Sequence, residues 1–555
     1  TIGNAGTGTL NVTAGGKVVS GDGNLGSNSG AVGQVLVSGT GSAWNSSGRI
    51  TVGLFGTGNL RIEAGGQVSS NDAIIGDSAL GEAVVTGAGS LWTNTAQLNV
   101  GSYNTGSLRI ENGASVVSNQ GYVGAGAGSA GTVVISGAGS NWLVGPFSLT
   151  LGNFGNGTLT NENGGRVPAE GGVLLGSAAT GSGTLTLTGT AADRAVLETS
   201  VLRAGAGSAT VSIDGGLLRA TDDNANFFNG FGTRDVTLGA NGVLIDTDGH
   251  DIGIAPRFVG AGGLIKDGAG TLLLSGANAY GGATLVNAGT LLINGDQSAA
   301  TGLVTVGAAG TLGGIGIIGG NVDMSAGGTL LPGNSPGTLT INGNLLLGAG
   351  TQLNFELGQA NIVGGTLNDL VNVGGNLTLD GTLNVTESAG GSFGIGIYRL
   401  FNYGGALTNN GLALGSMPAG GNAFVQTGVA GQVNLVNTGG ATLNYWDGAV
   451  GPKFDNVING GSGIWQNSSG NDNWTDASGA VNAAFTDDAV AIFSGSAGTV
   501  TVDNGPASVS VTGMQFATTG YVITGDTVTL TGPQATIRVG DGTAASTGYT
   551  ATIAS

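Results

Sequence analysis

Several short strings carry residue types that do chemistry. Gly333-Asn334-Ser335-Pro336-Gly337 has the G-x-S-x-G form in which a sharp strand-to-helix turn lifts a serine hydroxyl toward a substrate. Gly76-Asp77-Ser78-Ala79 places a second serine beside an acid. Either serine would need a general base, and the only histidine in the chain is His250. Pro336 follows Ser335 and no helical pattern follows it, so that string reads as a turn. Asp246, Asp248 and Asp251 gather carboxylates over six residues, but a hard cation wants six or more oxygens and no helpers are evident. Turns built on Asp side chains explain the segment better, and no metal or other cofactor is expected. The acid pairs Asp222-Asp223 and Asp487-Asp488 are adjacent, and strand neighbours point to opposite faces, which makes poor acid/base partners. A tryptophan series is more regular. Trp44, Trp92 and Trp142 each close a Gly-x-Gly-Ser-x-Trp string. If exposed, they would form a column able to stack sugar rings or a protein ligand. If buried, they stitch a hydrophobic layer over each glycine-rich corner, and that structural reading is preferred.

These residues sit in an unusual composition. Of 555 residues, 116 are Gly, 40% are hydrophobic, only 8% are charged, and none is Cys. Disordered chains are poorer in apolar residues and richer in charge. Collagen needs Gly at every third position and abundant Pro, which this chain lacks. Disulfide and thiolate metal sites are impossible without Cys. A net charge of −19 with three lysines argues against nucleic acid as a partner. No apolar run is long enough for a membrane-spanning helix. The chain starts at Thr1 without Met or a signal segment and stops at Ser555 without a closing element, so it reads as a fragment.

The elements that hold these residues are repeats. An apolar residue followed by Gly recurs at Gly3, Gly26, Gly53, Gly76, Gly101, Gly124, Gly152 and Gly176, with gaps of 23, 27, 23, 25, 23, 28 and 24 residues. The gaps alternate, so the larger unit is a pair of coils of about 50 residues. In this register Asp77-Ser78 aligns with the plain turn residues after Gly101, so it too reads as a turn. Segments such as Leu60-Arg61-Ile62-Glu63 and Leu108-Arg109-Ile110-Glu111 alternate apolar and polar residues, as half-buried strands do. One coil cannot bury its own apolar face, but stacked coils share a continuous core. The pattern therefore predicts an all-β parallel β-helix with about 22–25 residues per coil. About 22 coils stacked at roughly 4.8 Å would extend on the order of 100 Å.

Three segments are expected. Residues 1–220 carry the strict double repeat, and 221–440 continue the β-helix with a looser register. Residues 441–555 open a further, aromatic-richer solenoid, marked by Trp446, Trp465, Trp474, Phe454 and Phe485.

The stretch Asp267-Gly268-Ala269-Gly270-Thr271-Leu272-Leu273-Leu274-Ser275-Gly276-Ala277-Asn278-Ala279-Tyr280-Gly281-Gly282, followed by Gly289-Thr290-Leu291, closely resembles the passenger-associated transport repeat of autotransporters (unit about 267–295). Leu331-Pro332-Gly333-Asn334-Ser335-Pro336-Gly337 and Gly460-Gly461-Ser462-Gly463-Ile464-Trp465 with Asn473-Trp474-Thr475 also resemble autotransporter passengers. The repeats before residue 200 are similar to those of large adhesin-type members. The resemblance implies a right-handed β-helix displayed on, or released from, the surface of a Gram-negative bacterium. It also implies a C-terminal outer-membrane β-barrel as partner, which this sequence does not contain.

Together these observations predict a non-enzymatic passenger stalk acting in adhesion, autoaggregation or biofilm formation. Its partners would be proteins or glycans of a host or neighbouring cell, met by many weak contacts along a repeated surface. Two alternatives are a polysaccharide-active β-helix enzyme, which would need acids converging in one cleft, and a passive spacer for a functional tip.

Overall fold

The computed structural model describes residues 1–419, 422–427, 430–439, 442–467, 472–532, 535–541 and 543–555, and the boundary expected at 440/441 lies outside them. The fold is an all-β parallel solenoid of about 21 turns, and the helical content among the described residues is a three-residue 3-10 turn at Ala544–Ser546. The chain forms two compact units, Thr1–Thr311 with Gly316–Asn321 and Leu312–Ile315 with Val322–Ser555.

In the first unit each coil lays down three strands that stack in register on the same three of the next coil. One stack of strands, from Thr7–Val12 through Val32–Ser38 and Thr57–Glu63 to Ala279–Tyr280, forms a twelve-stranded sheet. The pairing is parallel and residue-for-residue: Leu10 lies on Val35, Val35 on Leu60, and Leu108 on Val133. Their burial alternates with a period of two, so Leu108 and Ile110 face in while Arg109 faces out. A second stack runs through Ala43–Ser46, Gln67–Ser70, Leu91–Asn94 and Asn141–Val144. Short strands from Gly23–Leu25 to Phe228–Asn229 complete the triangle as a nine-stranded sheet.

The corner glycines are a steric requirement. Gly101 has φ +72, and a Cβ built on it would lie 2.5 Å from the carbonyl oxygen of Ala130 in the next coil. Any side chain there would both strain the backbone and separate the coils.

The 50-residue period has a packing origin. The inward column of the second stack alternates Val18, Trp44, Val68, Trp92, Val116 and Trp142. Across the core, the short-strand column runs Gly23, Ile50, Ala73, Leu98, Gly121 and Leu149. Trp44 and Trp142 lean back over the glycine of the preceding coil. A Cβ on Gly23 would meet Trp44 Cζ2 at 2.3 Å, and one on Gly121 would meet Trp142 Cζ2 at 2.8 Å. Two single coils of complementary volume therefore make one repeat at native packing density.

The second unit continues with parallel pairs such as Thr338–Ile341 on Leu370–Val373 and Gln352–Leu357 on Thr382–Glu387. It then departs from the parallel scheme, since Gln432–Asn437 runs antiparallel to both Gly396–Tyr403 and Ala423–Gln426. Its aromatic core gathers Trp446, Trp465 and Trp474, all fully buried, around Phe485 and Phe493. The Trp465 and Trp474 ring centres are 4.8 Å apart, and Thr499–Val502 stacks between Gly463–Trp465 and Tyr521–Gly525 as a resumed parallel ladder.

Candidate functional site

Local geometry accounts for each string that could carry chemistry. Around Ser335 the chain turns with positive φ at Gly333 and Ser335, and the Gly337 N–H donates to Asp369 Oδ1 at 2.8 Å. Asp369 also takes the Glu356 N–H at 2.7 Å, so its buried carboxylate fastens the turn to a strand. Burial raises its pKa to about 7 against those two hydrogen bonds. Asp77 and Ser78 form a coil corner, with their N–H groups on Gly53 O and Leu54 O of the coil before. His250 Nδ1 lies 3.2 Å from Asp223 Oδ1, and no serine hydroxyl partners it among the described residues. The Asp251 N–H and then His250 hold the Asp223 carboxyl below the usual range.

The Asp246 and Asp251 carboxylates are engaged separately. Asp246 Oδ2 accepts from Arg219 Nε at 2.9 Å, and its Oδ1 takes the Asp248 N–H in an Asp turn with Asp248 at φ +50. Asp251 Oδ1 accepts the Thr271 N–H at 2.7 Å. Arg219 in turn reaches Glu198, which also binds Arg166, giving an ion-pair ladder across successive coils. No group of three or more His, Asp or Glu side chains placed to hold a metal occurs among the described residues. The Asp487-Asp488 pair differs from the expectation for strand neighbours. It occupies a turn in which Asp488 has φ +58, and this brings both carboxylates onto Ser510 Oγ instead of to opposite faces. Thr531 Oγ1 also donates to Asp488 at 2.8 Å, so hydroxyls occupy the pair.

Trp44, Trp92 and Trp142 are 2%, 0% and 0% exposed. An exposed column at these positions is thereby corrected: the indoles point into the coil, where those of Trp44 and Trp142 fill the space left by Gly23 and Gly121. No ring face is open to a ligand. Trp44 and Trp142 donate from Nε1 to Ser20 Oγ and Ser118 Oγ of the preceding coil, at 3.1 and 3.0 Å. Trp92 breaks this rule. Its equivalent serine, Ser70, bonds Asn94 Oδ1 instead, leaving Trp92 Nε1 and Asn94 Nδ2 buried without partners. Replacing Asn94 by Ser, the residue at the equivalent position 46, frees Ser70 for Trp92. The Asn94→Ser variant is expected to gain about 1 kcal/mol, read as a higher unfolding midpoint; an unchanged or lower midpoint contradicts the account.

Within the 267–295 segment Asn278, Tyr280 and Thr284 face inward. Phe258 N–H donates to Asn278 Oδ1 at 2.8 Å, and the Tyr280 hydroxyl pairs with Thr284 Oγ1 at 2.7 Å. Lys266 continues the tryptophan column, between Ile245 and Val286, and is fully buried. Its Nζ donates to the carbonyl oxygens of Asp267, Gly268 and Ala288 at 3.0, 2.7 and 3.0 Å. The strand phase of Leu264-Ile265-Lys266-Asp267 signals this inward position, since Lys266 is in step with Leu264.

The accessible aromatic residues lie elsewhere. Two residues beyond the corner glycines Gly53, Gly101 and Gly152 stand Phe55, Tyr103 and Phe154, exposed by 57%, 71% and 51%. Intervening coils carry Ser78 and Gly126 at this position. Sequence reasoning missed this series, although its signal was the same glycine register that located the tryptophans.

Comparison with known proteins adds identity to this geometry. The passenger-associated-transport-repeat family matches residues 264–293. The chain is 46% identical over 334 residues, 58% of its length, to the Adhesin BmaC autotransporter of Brucella suis biovar 1 (strain 1330). It is 42% identical over 98 residues, 18% of its length, to the Extracellular serine protease of Serratia marcescens. These matches span 10% and 9% of the two relatives' own lengths.

Proposed function

From the premise that this chain is autotransporter-passenger-like and adhesin-like in sequence, we propose that it is a non-enzymatic surface stalk that mediates adhesion, autoaggregation or biofilm formation. The 46% identity to an adhesin autotransporter carries the reading. The solenoid fits the role physically, because stacked coils repeat an outer surface and allow many weak contacts to act together. Its partners are surface molecules of a host or neighbouring cell, and a C-terminal outer-membrane β-barrel serves as its exporter. The single histidine, held by Asp223 rather than by a serine, favours adhesion over the hydrolytic activity in the name of the Serratia relative.

The test is display of the chain on a non-adherent Gram-negative strain through a heterologous barrel. Cells bearing it are expected to adhere to epithelial monolayers, or to one another, more than cells bearing the barrel alone. Equal adherence and equal sedimentation overturn the proposal.

A further inference from the structure

Between Tyr103 and Phe154 the outer surface of the first unit holds a groove of about 480 Å³. The two rings occupy one corner position two coils apart, which places them roughly 10 Å from each other along the stack. Gly126, in the coil between them, forms the floor. A Cβ there would fall 2.9 Å from Tyr103 Cδ1 and 2.3 Å from Ser102 O, so the missing side chain lets the tyrosine ring lie flat against the next coil. The wall is the outward face of Gln97–Val100 and Gln120–Val123, from which Gln97, Asn99 and Tyr122 project. Asn153 closes the far end.

Three features of this lining select a ligand class. The side-chain amides of Gln97, Asn99 and Asn153 have no hydrogen-bond partner among the described residues, so donors and acceptors stand ready at the surface. Aromatic faces flank them, and the C–H face of a pyranose packs on such rings while its hydroxyls bond amides. No charged side chain is among the described residues lining the groove, and the chain carries a net charge of −19, which disfavours polyanions. The ring spacing is close to the length of a disaccharide unit in an extended chain. A ligand whose own repeat matches two coils could continue toward Phe55.

Resting on the adhesion reading above, we infer that the Tyr103–Phe154 groove is a binding site for an uncharged linear glycan, with the rings stacking sugars and the amides of Gln97, Asn99 and Asn153 reading hydroxyls.

The experiment uses the whole purified chain and linear hexaoses of glucose, mannose and N-acetylglucosamine, with heparin as the anionic comparison. At least one hexaose binds the wild type, and Tyr103→Ala/Phe154→Ala weakens it by about tenfold or more at an unchanged unfolding midpoint. Should that variant misfold, Gln97→Ala/Asn153→Ala keeps both rings and is expected to weaken binding several-fold. Leu346→Ala, an exposed apolar residue of the second unit, leaves binding unchanged. Absence of hexaose binding, preference for heparin, or indifference to the aromatic and amide variants overturns the inference. Binding on the purified chain is independent of the display assay. Adherent cells whose chain ignores hexaoses refute the glycan site alone, and loss of their adherence in the aromatic variant would then point to a protein ligand. Hexaose binding by a chain that confers no adherence refutes the adhesion reading alone.

Discussion

Trp142→Ala is expected to destabilise the first unit by about 3–5 kcal/mol, the cost of emptying a fully buried aromatic position. The indole fills the space above Gly121 and bonds Ser118, so truncation removes packing, leaves a cavity and orphans a buried hydroxyl. In a solenoid each coil contacts only its neighbours, so limited proteolysis should open first near Gly121 and Asn141–Val144. A second substitution makes the argument specific. Gly121→Ala alone should cost about 1–3 kcal/mol, because its Cβ would lie 2.8 Å from both Trp142 Cζ2 and Leu149 Cδ1. In the Trp142→Ala background part of that clash disappears and the new methyl fills part of the cavity. The double variant should therefore be more stable than the sum of the two singles predicts. Strict additivity in denaturant melts would show that the large and small residues of adjacent coils are not packed as partners.

Lys266→Met is the second large effect, and it has a pH signature. Methionine keeps most of the volume but removes one donor from each of the Asp267, Gly268 and Ala288 carbonyls. The expected cost near neutral pH is about 1–3 kcal/mol. Burial lowers the Lys266 pKa to about 8, against the attraction of Asp267, Asp246 and Asp251. Below that value both folded and unfolded states carry the proton. Between about 8 and the ordinary value of 10.5, the unfolded chain binds more protons than the folded one, so stability contributed by this group rises with pH. The wild type should gain stability relative to Lys266→Met as pH increases across that window. A constant difference between the two proteins from pH 8 to 10.5 would mean that Lys266 titrates normally.

Much of the fold is legible in the sequence, for identifiable reasons. The glycine register from Gly3 to Gly176 marks places where a Cβ would strike the next coil, so the corner chemistry is written directly into residue type. The alternation in Leu108-Arg109-Ile110-Glu111 is equally direct, because strand geometry sends successive side chains to opposite faces. Other features needed more than pattern. The antiparallel placement of Gln432–Asn437 depends on pairing partners, and nothing in the spacing of that segment distinguishes parallel from antiparallel neighbours. Asp487 and Asp488 converge because of one positive φ at Asp488, which a strand-period argument does not contain.

The candidate site divides the same way. By itself the sequence determined that the protein is a glycine-cornered parallel solenoid with few groups suited to catalysis and a tryptophan series in phase with its coils; the second aromatic series, at Phe55, Tyr103 and Phe154, keeps the same register but stood out only once the structure showed it exposed. The tertiary structure decided which series is a surface. Trp44, Trp92 and Trp142 fall on inward strand positions, Trp44 and Trp142 over Gly23 and Gly121, and the hydrophobic effect and close packing hold them there. Phe55, Tyr103 and Phe154 fall just past the corner glycines, where the chain has already turned outward and no second layer covers them. Residue type and period are alike in both series. Only the direction of the backbone at each position separates a core stitch from an exposed ring, and that direction is set by the coil closing on its neighbours.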